Sequence, residues 1–104
     1  MKWISVQECQ ERMESDNIQM IDIRENWEHE VCNIKALHIP MDKVAETFHD
    51  KDRSAFYVIV CKSGNRAQAV ANMLTSEFNF ANVYILEGGI IGWLTNSDIP
   101  FENY

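Results

Sequence analysis

A chain of 104 residues, 46% hydrophobic and with a formal net charge of −7, is long enough to bury a core as one domain over residues 1–104. Its acidity argues against nucleic acid as a partner, and its apolar runs are too short to cross a membrane. Three cysteines without Cys-x-x-Cys spacing, behind an N-terminus lacking an apolar export segment, point to free thiols in a reducing compartment, the cytoplasm by default.

Ser5 and Glu8 have capping-box spacing, and a helix is expected to follow over residues 6–13. Residues 15–17 read as a turn, and residues 18–23 as a strand that carries the charged Asp22 at its C-terminal end. Residues 24–26 form a polar corner before a short helix at 27–31. A short strand at 36–39 is closed by Pro40, which cannot donate to a ladder. Residues 41–49 read as a helix with Val44, Ala45 and Phe48 on one face, and residues 50–54 as a solvated loop. The apolar run from Tyr57 to Val60 is a buried strand that ends at Cys61. The helix beyond it runs to about residue 78, with Asn79 as its C-terminal turn residue. Residues 83–86 make another strand, Gly88-Gly89 breaks the chain, residues 90–94 resume as a short apolar helix, and residues 95–104 are expected to be irregular. Trp93 is expected in the core, with Trp3 and Trp27 partly buried. Alternating strands and helices imply an α/β fold, a mostly parallel central sheet flanked by helices on both faces. Ligands of such sheets sit beyond the carboxyl ends of the strands. Asp22-Ile23-Arg24, Cys61 and Glu87-Gly88-Gly89 should therefore converge on one rim.

Cys61 lies where a buried strand meets a helix N-terminus, whose unpaired N–H groups and partial positive charge favour a thiolate. Lys62 and Arg66 add two cations, and the same donors suit an anion beside the sulfur. The competing reading is a small buried hydrophobe. The donor-rich run Lys62-Ser63-Gly64-Asn65-Arg66, useless to a core, weighs against it. Gly64 is the residue able to take positive φ. Asp22 reads as structural, accepting loop N–H bonds. Arg24 is a candidate cleft residue, Glu25 a cap for the following helix, and Gly88-Gly89 a turn that needs φ freedom. Cys9 and Cys32 read as semi-buried apolar residues, with a resolving thiol as the rival role. His29, His38 and His49 have no zinc-ligand spacing with a cysteine pair, so neither metal nor cofactor is expected.

Three separated stretches resemble the signatures of single-domain rhodaneses, the thiosulfate sulfurtransferases. They are Met20-Ile21-Asp22-Ile23-Arg24-Glu25 with Trp27-Glu28 and His38-Ile39-Pro40 after it, Val60-Cys61-Lys62-Ser63-Gly64-Asn65-Arg66-Ala67, and Leu86-Glu87-Gly88-Gly89-Ile90-Ile91-Gly92-Trp93. The resemblance implies a rhodanese-like fold and a double displacement. Cys61 takes the outer sulfur of an anionic donor such as thiosulfate, sulfite leaves, and the resulting persulfide passes its sulfur to cyanide or a thiol. It also implies that the backbone N–H groups of residues 62–66 stabilise the terminal sulfur, and that Lys62 and Arg66 attract the donor. Arg66 has an equal rival role as a tie that holds the loop down. In this fold a six-residue loop goes with sulfur transfer, while the similar phosphatases and arsenate reductases have one residue more. One segment departs from the family: Cys32-Asn33-Ile34-Lys35-Ala36 stands where a glycine-containing run is usual. This implies altered turn geometry beside the cleft. The alternative to a free-standing enzyme is a carrier that receives sulfur from a partner protein.

Overall fold

In the computed structural model the described residues are 2–15, 18–31, 34 and 36–96. Among them five strands, β1 (Trp3–Ile4), β2 (Gln19–Asp22), β3 (Leu37–His38), β4 (Phe56–Val60) and β5 (Asn82–Leu86), form one sheet in the order β1-β5-β4-β2-β3. Every pairing is parallel. The carboxyl ends of all five strands therefore share one rim, as the alternation of elements requires. Asp22 pairs in register with Val60 of β4 on one side and with His38 of β3 on the other, so the end of β2 sits beside the start of the Cys61 loop.

Among the described residues five α-helices cover the sheet: α1 (Val6–Ser15), α2 (Asn26–Val31), α3 (Val44–Phe48), α4 (Asn65–Ser76) and α5 (Gly89–Asn96). The central strands are buried on both faces, which is why β4 is a continuous apolar run without alternation. On one face Ile21, Ile59 and Ile85 pack with Val44 and Phe48 of α3 and with Val70 and Leu74 of α4. There Phe48, Tyr57 and Phe80 meet edge to face at 5.2–5.7 Å, the favoured arrangement for aromatic quadrupoles. On the other face Met20, Val58 and Val60 pack with Val6 and Cys9 of α1 and with Ile90 and Trp93 of α5. The Ser5 hydroxyl accepts the Glu8 N–H at 3.1 Å, the cap expected for α1.

Several expectations need correction. β1 is a two-residue edge strand, too short to show a period in the sequence. The helix at 41–49 divides into a 3-10 turn over Met41–Lys43 and α3. Val44 and Phe48, four residues apart, face the core, while Ala45 lies about 100° round the helix in solvent. Trp27 is 66% exposed instead of partly buried. Thr95 and Asn96 belong to α5, not to an irregular tail. Asp16, Asn17, Cys32 and residues 97–104 lie outside the described residues, so the turn at 15–17, most of the departing segment 32–36 and the rest of the tail do too.

Candidate functional site

Cys61 follows the last residue of β4 and α4 begins four residues later, with Gly64 as its N-cap at φ +111°. A side chain would be strained at that angle, which is the reason for glycine in the loop. The turn folds the chain back so that the Gly64 N–H donates to Cys61 Sγ at 3.1 Å and the Ala67 N–H donates to it at 3.4 Å. Ala67 is the third residue of α4, so the sulfur occupies the place that a capping side-chain oxygen takes at other helices. Hydrogen bonds and the positive end of a twelve-residue helix both favour negative charge on that sulfur. Cys61 is 1% exposed and lies at the base of the loop, while Lys62, Ser63 and Asn65 are exposed on its rim.

The opposite side of the loop is held by α5. The Ile90 N–H donates to the Cys61 carbonyl at 2.8 Å and the Ile91 N–H to the Lys62 carbonyl at 3.3 Å. Because each peptide is planar and trans, the Lys62 and Ser63 N–H groups then point away from α5. The approach depends on Gly89, at φ +56°. A Cβ there would stand 2.4 Å from the Cys61 carbonyl oxygen and 2.6 Å from that of Lys62. Gly88-Gly89 thus supplies the φ freedom the sequence suggests, and Gly89 also supplies a close approach that the sequence does not reveal.

Arg66 is paired with α2. Its guanidinium makes a two-pronged pair with Glu28 of α2, Nη1 to Oε1 at 2.7 Å and Nη2 to Oε2 at 3.0 Å. The Arg66 side chain is 34% exposed and that of Glu28 11%. The hydrogen bonds from Arg66 hold the Glu28 carboxyl below its usual range, and the carboxylate in turn raises the Arg66 pKa. Glu28 Oε1 also accepts the Glu25 N–H at 2.9 Å. This is the third helical residue reaching back to the N-cap. The Glu25 side chain does not cap α2; Glu28 does, and the three-residue interval between the two was the available signal for this missed residue.

Arg24 is a buried strut. Its Nε and Nη2 donate to the two carboxylate oxygens of Asp22 at 3.0 and 2.9 Å, and its Nη1 donates to the Glu28 carbonyl at 3.2 Å. Asp22 Oδ1 also accepts the Arg24 N–H at 3.0 Å, the structural role expected of that carboxylate. Burial by itself would raise the Asp22 pKa, but the hydrogen bonds from Arg24 and His29 bring it below the usual value. His29 Nδ1 and Asp22 Oδ2 are 3.1 Å apart, and His38 Nε2 and the Arg24 carbonyl are 2.8 Å apart. Both oxygens only accept, so those ring nitrogens carry the protons. The two imidazoles stack at 4.1 Å and within 3° of parallel. They join β3 to α2, the helix that carries Glu28.

Cys9 contrasts with Cys61. It is fully buried in the α1 face, and desolvation pushes its thiol up to about 11. The geometry therefore brings together Cys61, Gly64, Arg66 and the exposed rim residues Lys62, Ser63 and Asn65. Arg24 stands behind them as support, and Cys9 is remote in the core.

A family model of the rhodanese-like domain matches residues 5–96. The thiosulfate sulfurtransferase GlpE of Pseudomonas entomophila is 32% identical over 75 residues, covering 71% of this chain and 68% of its own length. The adenylyltransferase and sulfurtransferase MOCS3-1 of Drosophila pseudoobscura pseudoobscura is 23% identical over 109 residues, and the match covers 97% of this chain but only 24% of that protein's length. Among solved structures, a rhodanese-like domain protein from Staphylococcus aureus superposes with a TM-score of 0.82 at 30% identity, covering 100% of this chain and 99% of the other. Placed beside the parallel sheet and the cysteine loop, these matches show that the chain belongs to the rhodanese-like domain family.

Proposed function

We propose that the chain is a sulfurtransferase that carries sulfane sulfur as a Cys61 persulfide. The observation that carries this reading is the pair of amide donors, Gly64 and Ala67, on Cys61 Sγ inside the six-residue loop. The thiolate attacks the outer sulfur of thiosulfate, the S–S bond to the sulfite moiety breaks, and sulfite leaves with the electron pair. The persulfide then gives its outer sulfur to cyanide or a thiolate and returns the Cys61 thiolate. Donors at the start of α4 offset the charge on the outer sulfur; Asn65 and Arg66 are its first two helical residues, whose N–H groups have no acceptor within the helix. Lys62, Ser63 and Asn65 form the rim a donor crosses, and Lys62 attracts its charge. The free thiols Cys9 and Cys61 suit a reducing cytoplasm, and no helix among the described residues is long and apolar enough to cross a membrane.

A second reading, relay of sulfur to or from a partner protein, is favoured by the match to about a quarter of the length of the MOCS3 relatives. A steady-state assay with thiosulfate and cyanide separates the two. Saturable thiocyanate formation, abolished in Cys61→Ser, is expected. Absence of turnover alongside sulfur uptake from a protein persulfide would favour the relay.

A further inference from the structure

Ile4 of β1 packs into the core beneath α1 and α5. Trp3, one residue before it, therefore points to the opposite face of the sheet, the face of α4. There the far edge of its ring meets the loop. Outside the loop and α4, the nearest atoms to the place where a Cβ would stand on Gly64 are Trp3 Cζ3 and Cη2, at 3.5 and 3.7 Å. The ring is thus within about 5 Å of the Gly64 Cα, too near for a water to enter between them. Gly64 is buried although Lys62, Ser63 and Asn65 around it are exposed. The Trp3 side of the cover stays 42% exposed.

Beneath this cover is one of the two donors on the reacting sulfur, the Gly64 N–H at 3.1 Å from Cys61 Sγ. The other, the Ala67 N–H at 3.4 Å, comes from the first turn of α4. A hydrogen bond kept from water is electrostatically stronger, and this one favours negative charge on Sγ. The two halves of sulfur transfer use that charge in opposite senses. In loading, Sγ gives up its charge to form the S–S bond. In discharge, cyanide attacks the outer sulfur, the S–S bond breaks, thiocyanate departs, and the electron pair returns to Sγ as thiolate. A better stabilised thiolate leaves faster, and a less stabilised one attacks more readily. A shielded donor on Sγ therefore aids discharge and does not aid attack.

We propose, building on the sulfurtransferase reading, that Trp3 is a positioning residue for the discharge half of the reaction. Its ring keeps water off the Gly64 N–H and holds that donor on Cys61 Sγ, where the leaving charge collects.

The test measures the two half-reactions in single turnovers, at a pH where the loading rate has levelled. Loading by thiosulfate is read as sulfite released, and discharge by cyanide as thiocyanate formed. Trp3→Ala should slow discharge about fivefold, the effect of weakening one hydrogen bond, while loading is unchanged or quicker. Trp3→Phe, with its shorter ring, should fall between Trp3→Ala and the parent, and it carries the comparison if Trp3→Ala does not fold. Amide hydrogen exchange gives a readout independent of activity. In Trp3→Ala the Gly64 amide should exchange about tenfold faster, while the Ala67 amide on the same sulfur keeps its parent rate. Equal slowing of both half-reactions, or Gly64 and Ala67 amides quickening in step, would reveal an edge residue that only supports the sheet, and overturns the role of Trp3. Rates and exchange unmoved in both variants overturn it too, with sulfur transfer intact. A parent protein that takes no sulfur from thiosulfate onto Cys61 overturns the sulfurtransferase reading and the discharge role with it.

Discussion

At the scale of single residues, the candidate site rests on which charges are already paired. Arg66, which lies between the sulfur contacts Gly64 and Ala67 in the chain, and Glu28 neutralise each other, so replacing either should act by unbalancing local charge. Arg66→Ala leaves the Glu28 carboxylate without its cation and should raise KM for thiosulfate about threefold to tenfold, the size of one partly screened charge. Glu28→Gln frees the guanidinium and should lower KM. The double variant should return within about twofold of the parent. A Glu28→Gln enzyme with raised KM would show instead that Arg66 serves chiefly as a positioning residue. The same pair sets a pH dependence. The Glu28 pKa is depressed in the folded chain, so its stabilisation is complete above the ordinary carboxylate range near about 4.3 and fades as pH falls through the depressed value. Thermal melts of the parent and Glu28→Gln should therefore differ at neutral pH, by no more than about 1 kcal/mol for a pair this exposed, and converge in acid. The two described cysteines should also part company. Cys61 should react with iodoacetamide at pH 7, while Cys9, buried and with its thiol pushed to about 11, should stay unmodified in the folded protein.

At the scale of elements, the loop is fixed from two sides, by the turn into α4 and by the start of α5, and a different glycine permits each. Gly64→Ala meets nothing closer than the Trp3 ring, at 3.5 Å, but must adopt φ +111°. It should cost about 1–3 kcal/mol and redirect the Gly64 N–H away from the sulfur, so activity should fall more than stability. Gly89→Ala adds a collision with the Cys61 and Lys62 carbonyls to its strained φ. It should be the less stable of the two in urea, by about 1 kcal/mol or more. The reverse order of midpoints would mean that α5 is not what holds the loop. These elements differ in how far they could be read beforehand. α1, β2, β4, α4 and β5 were legible because period, caps and β-branched runs agreed. β1 was not, since two residues carry no period and its place is set by pairing with β5. The Cys61 loop and the φ of Gly64 were legible from local chemistry. The partner of Arg66 was not, because it lies 38 residues away and is chosen by the tertiary fold.

At the scale of the whole molecule, the parallel sheet gathers Asp22, Cys61 and Glu87 on one rim of a chain whose net charge is −7. The Cα radius of gyration is 12.5 Å. At 10 mM ionic strength the screening length, about 30 Å, exceeds this, so an approaching dianion meets the repulsion of the entire chain. At 150 mM it is about 8 Å and the nearby Lys62 weighs more. The kcat/KM for thiosulfate should therefore rise between these conditions in an inert salt; a fall would place the controlling field in the loop alone.

The most direct measurement is peptide-resolved mass spectrometry of the protein after brief exposure to thiosulfate. One added sulfur atom on the peptide containing Cys61, discharged by cyanide and absent from Cys61→Ser, is the expected result. An unmodified Cys61, or sulfur carried on Cys9 or Cys32 in its place, would contradict the central claim.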